Sequence, residues 1–258
     1  MAAISREVAN LHESQFSSAR LIVLHLLPGA VAMMCMLTAG LLLESIGLSP
    51  NLPILFTFVG GPAIIVAQLG FLYRQGLQWN GRYSLEGIVL YRDDPMPWWK
   101  TLAWSIPLFA WIAFAFYIVK PPVNGFFIEH YFSWMPAYLF DDYLLNNLNQ
   151  YSPTVLKGVG FLFILSISFG GAVEELYFLG YLLPRMEHLG VLAPLANATL
   201  FSIYHFWSPW EFIARTLALV PWVYAVWHTR SIYLAILVHF TINLFSGISL
   251  LSLIIHLT

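Results

Sequence analysis

Five side chains able to support acid–base or hydrogen-bond chemistry fall in three short blocks in the last third of the sequence. They are Glu174, Glu175, His205, His239 and Asn243. A carboxylate can act as a general base on water, and an imidazole can accept or donate a proton. An amide does not titrate, but it can donate a hydrogen bond to an oxyanion. The set is therefore suited to hydrolysis by an activated water molecule.

The spacing within the blocks is that of helices. Residues four apart lie on one face of a helix, about 6 Å from each other, so His239 and Asn243 should project together. By the same spacing, Phe201 places an aromatic ring on the helix face of His205. Three separate helices would thus contribute the five side chains to one site.

The paired carboxylates are predicted to lie near the middle of the membrane. Glu174 and Glu175 precede Arg185, at the end of their apolar run, by about 15 Å of helix. An ionisable group near the bilayer centre costs at least about 2.5–3.5 kcal/mol, so it persists only when it is paired, faces a cavity or is needed. Two adjacent carboxylates in a low dielectric should titrate as a coupled pair. The alternative is a carboxylate pair that only hydrogen-bonds across the bundle for packing.

The elements that carry these residues are predicted to be membrane-spanning helices. Of the 258 residues, 59% are hydrophobic and 9% are charged, whereas a soluble domain has about 25% charged residues. A span needs about 20 apolar residues. Runs of this kind occupy 21–43, 52–73, 101–119, 159–184, 191–208, 211–228 and 231–257. The sequence therefore predicts an all-α, polytopic transmembrane helix bundle with about seven spans, within a range of six to eight.

The distribution of basic residues predicts the orientation. When seven spans alternate, eight of the 11 Lys and Arg residues fall on one side, and only Lys120, Lys157 and Arg215 fall on the other. Cytoplasmic flanks carry the excess of basic residues, so the N-terminus should be cytoplasmic. A prokaryotic cytoplasmic membrane is the default location. The net charge of −2 and the lack of a basic run exclude nucleic acid as an expected partner.

Three regions are expected along the chain. Residues 1–20 form a cytoplasmic N-terminal segment, 21–157 form a three-span region with loops, and 158–258 form the helix bundle that carries the five candidate residues. The single cysteine, Cys35, leaves no internal disulfide to propose.

The three blocks resemble the motifs of the CPBP intramembrane proteases, a family that includes type II CAAX prenyl endopeptidases and bacteriocin-processing, Abi-like proteins. The family pattern is Glu-Glu-x-x-x-Arg, Phe-x-x-x-His and His-x-x-x-Asn in successive helices. Here the blocks begin at Glu174, Phe201 and His239, and the likeness extends over about 158–247.

The resemblance implies an intramembrane endopeptidase that acts on a peptide or lipidated peptide, prenylated peptides included, within the bilayer. Glu174 would be the general base on a water molecule, assisted by His205, and Glu175 would support it. His239 and Asn243 would stabilise the oxyanion. The family has also been described as metal-dependent, and a divalent ion such as zinc is a candidate cofactor. The sequence contains no HExxH-type zinc helix.

One residue departs from the family pattern. The motif arginine is replaced by Leu179, which removes a cation expected one helical turn after Glu175. Arg185 lies on nearly the same helix face as Glu174 but about 16 Å along the axis, too far to substitute directly. A second hypothesis is therefore a non-catalytic pseudoprotease or a membrane binding or scaffold protein. A third is a proton-coupled transporter that uses the carboxylates as a relay.

Overall fold

The computed structural model describes residues 15–92 and 95–257, and within these ranges the chain is helical with no strand. Seven longer helices follow one another. They are α1 (Ser18–Ser45), α2 (Leu52–Asn80), α3 (Trp98–Phe132), α4 (Pro153–Leu189), α5 (Leu192–Ile203), α6 (Phe212–Thr229) and α7 (Ile232–Leu257). Between α3 and α4 the chain makes short helical turns at Ala137–Leu139, Asp141–Asn146 and Leu148–Gln150.

The predicted all-α, polytopic class is confirmed. Helices α1, α2, α3, α4 and α7 are long and apolar enough to cross a membrane, and the other two predicted spans coincide with α5 and α6. Helix α5 has 12 residues, about 18 Å of helix, which is well short of a hydrocarbon core of about 30 Å. Residues 1–14 of the predicted N-terminal segment 1–20 lie outside the described residues. The boundary predicted at 157/158 stays a prediction.

Helix α4 changes its winding directly after the paired carboxylates. Regular α-helix ends at Tyr177, a π-turn covers Phe178–Leu182, and a 3-10 segment containing Pro184 completes the helix. Asn197 of α5 donates its amide Nδ2 to the carbonyl of Phe178 at 3.1 Å and to His25 Nε2 of α1 at 3.1 Å. This fully buried amide therefore connects α1, α4 and α5 at the bend.

Close packing in the bundle depends on glycines at helix crossings. A Cβ at Gly247 of α7 would lie 2.6 Å from Ile164 Cγ1 of α4, and a Cβ at Gly160 of α4 would lie 2.9 Å from Leu251 Cδ1 of α7. Small residues let helices approach closely in a membrane, where no hydrophobic effect drives them together. Glycines on both helices thus hold α7 tightly along α4.

Another close glycine contact joins α1 to the turn that follows α5. A Cβ at Gly29 would lie only 1.9 Å from the backbone oxygen of Tyr204. Backbone atoms cannot rotate aside as the end of a side chain can, so even a methyl group would push the two elements apart. The residue after Tyr204 is His205, so this contact also bears on the position of the candidate site.

The Gly29→Ala substitution should lower the free energy of unfolding by about 1–3 kcal/mol, the usual cost of overpacking. The matched control is Gly70→Ala in α2, where a Cβ would meet nothing within 4 Å. Thermal unfolding of both purified variants in detergent measures the difference. Equal midpoints for the two variants would contradict the packing described for α1.

Candidate active site

A cavity of about 500 Å³ lies among α2, α3, α4, α6 and α7. Four of the five residues singled out from the sequence line it, namely Glu174, His205, His239 and Asn243. The fifth, Glu175, is fully buried behind the cavity wall, and it contacts His239. Residues from three separate blocks of sequence therefore meet at one place.

Glu175 holds the His239 ring in place. The distance from His239 Nδ1 to Glu175 Oε1 is 2.6 Å. When the carboxylate is ionised, Nδ1 carries the proton of this hydrogen bond, and Nε2 is the ring nitrogen left to face Glu174. The indole of Trp222 meets the same imidazole edge-on, with ring centres 5.6 Å apart. The imidazole is thus fixed in its rotation and its tautomer by residues from two other helices.

Glu174 and His239 face each other without touching. Glu174 Oε1 accepts a hydrogen bond from the Tyr204 hydroxyl at 2.7 Å, and Glu174 Oε2 lies 3.8 Å from His239 Nε2. That separation is too long for a direct hydrogen bond, but one water molecule can hydrogen-bond to both atoms across it. A water molecule beside the pair can therefore hydrogen-bond to both the carboxylate and the imidazole.

His205 lies in the turn between α5 and α6, with its ring tautomer defined by the backbone. Its Nδ1 is 2.8 Å from the carbonyl oxygen of Phe201, and a carbonyl only accepts, so Nδ1 carries the proton and Nε2 is left as an acceptor. Arg215 of α6 holds both sides of the turn, donating to Ser202 O at 3.3 Å and to Ser208 Oγ at 2.8 Å. The guanidinium thus positions the segment that carries His205.

A buried ion network extends from this arginine across the cavity wall. Arg215 pairs with Glu211, and Glu211 Oε1 lies 2.7 Å from Lys120 Nζ and 3.4 Å from Asn124 Nδ2, both on α3. Tyr204, Glu211 and Arg215 are not among the candidate residues predicted from the sequence. The i, i+4 spacing of Glu211 and Arg215 is a signal for an ion pair that could have indicated the last two.

Asn243 is anchored to the helix opposite. Its Nδ2 donates to the carbonyl of Ile167 on α4 at 2.7 Å. An amide nitrogen carries two hydrogens, so a second donor remains for a ligand in the cavity. A Cβ at Gly171 would lie 2.8 Å from this nitrogen and 3.1 Å from the His239 ring. Only a glycine at position 171 leaves both side chains where they are.

Leu179, which replaces the motif arginine, does not line the cavity. It is fully buried in the apolar core, within the π-turn of α4. Arg185 points elsewhere and donates to the carbonyls of Tyr181 at 2.7 Å and Ile88 at 3.3 Å. The cavity instead receives its positive charge from Lys120 and Arg215, which both line it.

The donor atoms do not form a metal site. Among the residues that the structure describes, no group of three His, Cys, Asp or Glu side chains is arranged to hold an ion. A catalytic zinc needs three protein ligands. Glu174 Oε2 and His239 Nε2 approach each other to 3.8 Å, and among the described residues no third such side chain completes a group with them. The second nitrogen of His239 is already bound to Glu175.

Comparison with known proteins finds a family that resembles the part of the chain that carries this site. Residues 156–245 match the family model described as type II CAAX prenyl endopeptidase Rce1-like. Over these residues the chain is similar to that family. No curated protein and no solved structure matches the chain significantly. The CPBP assignment from the sequence motifs is thus confirmed.

The Rce1-like segment contains all five candidate residues, from Glu174 to Asn243. It covers most of α4, all of α5 and α6, and the first half of α7. The family is one of proteases, and the apolar helices make the chain an integral, multi-pass membrane protein. The roles of the individual residues stay predictions.

Gly171→Ala should destabilise the protein by about 1 kcal/mol, because the methyl group displaces the Asn243 amide from its hydrogen bond to Ile167. Gly170→Ala is the matched control, since a Cβ there meets nothing within 4 Å. Each variant gains the same helix propensity, so the difference between their unfolding free energies isolates the contact. Gly171→Ala unfolding at or above the midpoint of Gly170→Ala would rule out this close approach.

Proposed function

We propose that this protein is an intramembrane endopeptidase that hydrolyses a peptide bond with a water molecule activated by Glu174 and His205. The observation that carries the proposal is the gap of 3.8 Å between Glu174 Oε2 and His239 Nε2 at the wall of a cavity inside the bundle. The match of residues 156–245 to a protease family model supports it.

In the proposed reaction, Glu174 removes a proton as the water oxygen attacks the carbonyl carbon of the substrate. His205 assists, because its Nε2 is the acceptor left by the bond from Nδ1 to Phe201. Asn243 Nδ2 and a protonated His239 Nε2 donate to the oxyanion of the tetrahedral intermediate. The C–N bond then breaks, and the abstracted proton passes to the leaving amine.

Glu175 has a separate role in this scheme. As a buried carboxylate bonded to His239 Nδ1, it stabilises the imidazolium that the oxyanion requires. Tyr204 restricts Glu174 through the hydrogen bond of 2.7 Å to Oε1, so that Oε2 is the oxygen presented to water. The two adjacent carboxylates thus perform different tasks because they have different partners.

The proposed substrate is a peptide that reaches the cavity from the bilayer, and prenylated peptides are included. Apolar side chains from α2, α3 and α4 form much of the wall, among them Phe56, Ile64, Ile112 and Phe163. Such walls bind an extended apolar segment or a lipid chain attached to a peptide. The polar groups converge at one part of the cavity, where they can orient a single peptide bond.

A pseudoprotease is the second candidate function, and the replacement at Leu179 favours it. Restoring the arginine there is a poor test, because Leu179 is fully buried in the apolar core and a charge at that position would be left without water. Wild-type protein that binds peptides but cleaves none would favour this candidate.

Glu174→Gln and His205→Ala should each reduce cleavage of a prenylated peptide by at least about 100-fold, the contribution expected of a general base or its partner. The assay is product release by mass spectrometry from purified protein in lipid nanodiscs. Glu86→Gln and His256→Ala are matched controls, because both residues lie outside the cavity. Full activity in either cavity variant, with intact folding, would end the proposal.

A further inference from the structure

A second, smaller pocket of about 190 Å³ contains two arginines and lies apart from the catalytic cavity. Arg20, in the first turn of α1, places its guanidinium carbon 3.8 Å from the centre of the Phe16 ring. Arg185, near the end of α4, lies 5.8 Å from the same ring centre and 3.9 Å from that of Tyr181. The guanidinium groups of Arg20 and Arg185 thus both lie close to the Phe16 ring.

Among the described residues, the lining of this pocket, named here the guanidinium pocket, contains no carboxylate. Apart from the two arginines, Phe16 and Tyr181, these lining residues are Gln15, Gln75, Trp79 and Ile88. Within the described part of the chain, neither Arg20 nor Arg185 forms a salt bridge with an acid. In the described part of the chain, the two positive charges therefore share a small pocket with aromatic, amide and aliphatic side chains.

Arg185 has hydrogen-bond donors that no described residue accepts from. Its side chain is deeply buried, with only 5% of the residue exposed, and Nη1 bonds the carbonyls of Ile88 and Tyr181. No hydrogen bond from Nη2 or Nε is formed to any described residue. A buried guanidinium with idle donors is costly unless an anion accepts from them.

The pocket lies where span ends meet. Arg20 lies in the first turn of α1, Arg185 lies in the last turns of α4, and Gln75 and Trp79 belong to the last turns of α2. Trp79 is 57% exposed, as expected for a ring at headgroup depth. A cation in the first turn of a helix is also unfavourable next to the positive end of the helix dipole. An anion beside Arg20 would therefore reduce both this repulsion and the repulsion between the two guanidinium groups.

We propose that the guanidinium pocket binds a phosphate group, presented by the headgroup of an anionic phospholipid or by a soluble phosphate. Guanidinium groups match phosphate oxygens in a forked geometry, and two of them around one anion give a specific site rather than diffuse attraction. The site is distinct from the proposed catalytic cavity and does not depend on its chemistry.

The test measures affinity in two arms with the full-length protein. In the first, phosphatidylglycerol is titrated into phosphatidylcholine nanodiscs, and bound lipid is counted by native mass spectrometry. In the second, inorganic phosphate is titrated in neutral detergent, and the thermal midpoint is recorded. Arg20→Gln should weaken binding about tenfold in whichever arm saturates, as expected for losing a charged hydrogen bond.

Arg82→Gln is the matched control, because it removes the same charge from an exposed residue that is paired with Glu86 outside the pocket. Saturation by phosphatidylglycerol alone identifies a lipid headgroup, and saturation by inorganic phosphate identifies a soluble ligand; both support the site. Equal loss in Arg20→Gln and Arg82→Gln, or no saturation in either arm, overturns it. Arg185→Gln is a further variant. If it fails to fold, the comparison of Arg20→Gln with Arg82→Gln still decides the outcome.

Discussion

The hydrogen bond from His239 Nδ1 to Glu175 Oε1, 2.6 Å long and buried in the bundle, is the interaction on which the rest of the site depends. It joins α4 to α7 and fixes which way each side chain can turn. A carboxylate excluded from water needs a partner, and an imidazole beside it is held in one orientation. With Glu175 committed to His239, its neighbour Glu174 is the carboxylate that faces the cavity.

Two other features preserve this arrangement. Glycines at 160, 171 and 247 let α4 and α7 approach closely enough for the side chains to meet. Arg215 holds the turn that carries His205, and Glu211 connects that guanidinium to Lys120 on α3. Replacement of the motif arginine by Leu179 therefore leaves no gap in the cavity wall. Leu179 packs into the core, and basic residues of α3 and α6 line the cavity instead.

Much of this organisation can be predicted from the sequence. Apolar run length and scarcity of charge predict the all-α membrane class, and helical spacing predicts that His239 and Asn243 share a face. The blocks at Glu174, Phe201 and His239 indicate the family. These signals are local, since each depends on residues within a few helical turns of one another.

Features that depend on long-range packing were not predictable in the same way. Residues 191–208 read as one apolar run, yet α5 ends at Ile203 and His205 lies in a turn, because hydropathy does not reveal where a helix stops. The π-turn at Phe178–Leu182 is stabilised in part by Asn197, which is distant in sequence. The bond from Tyr204 to Glu174 likewise joins residues 30 positions apart.

A double-mutant cycle on Glu175 and His239 tests the central claim most directly. Unfolding free energies would be measured in mixed micelles for wild type, Glu175→Gln, His239→Phe and the double variant. The buried pair predicts a coupling energy of about 1–3 kcal/mol, because each single change leaves one polar partner buried and unsatisfied. Additive effects within about 0.3–0.5 kcal/mol would show that the two side chains do not interact and would contradict the account.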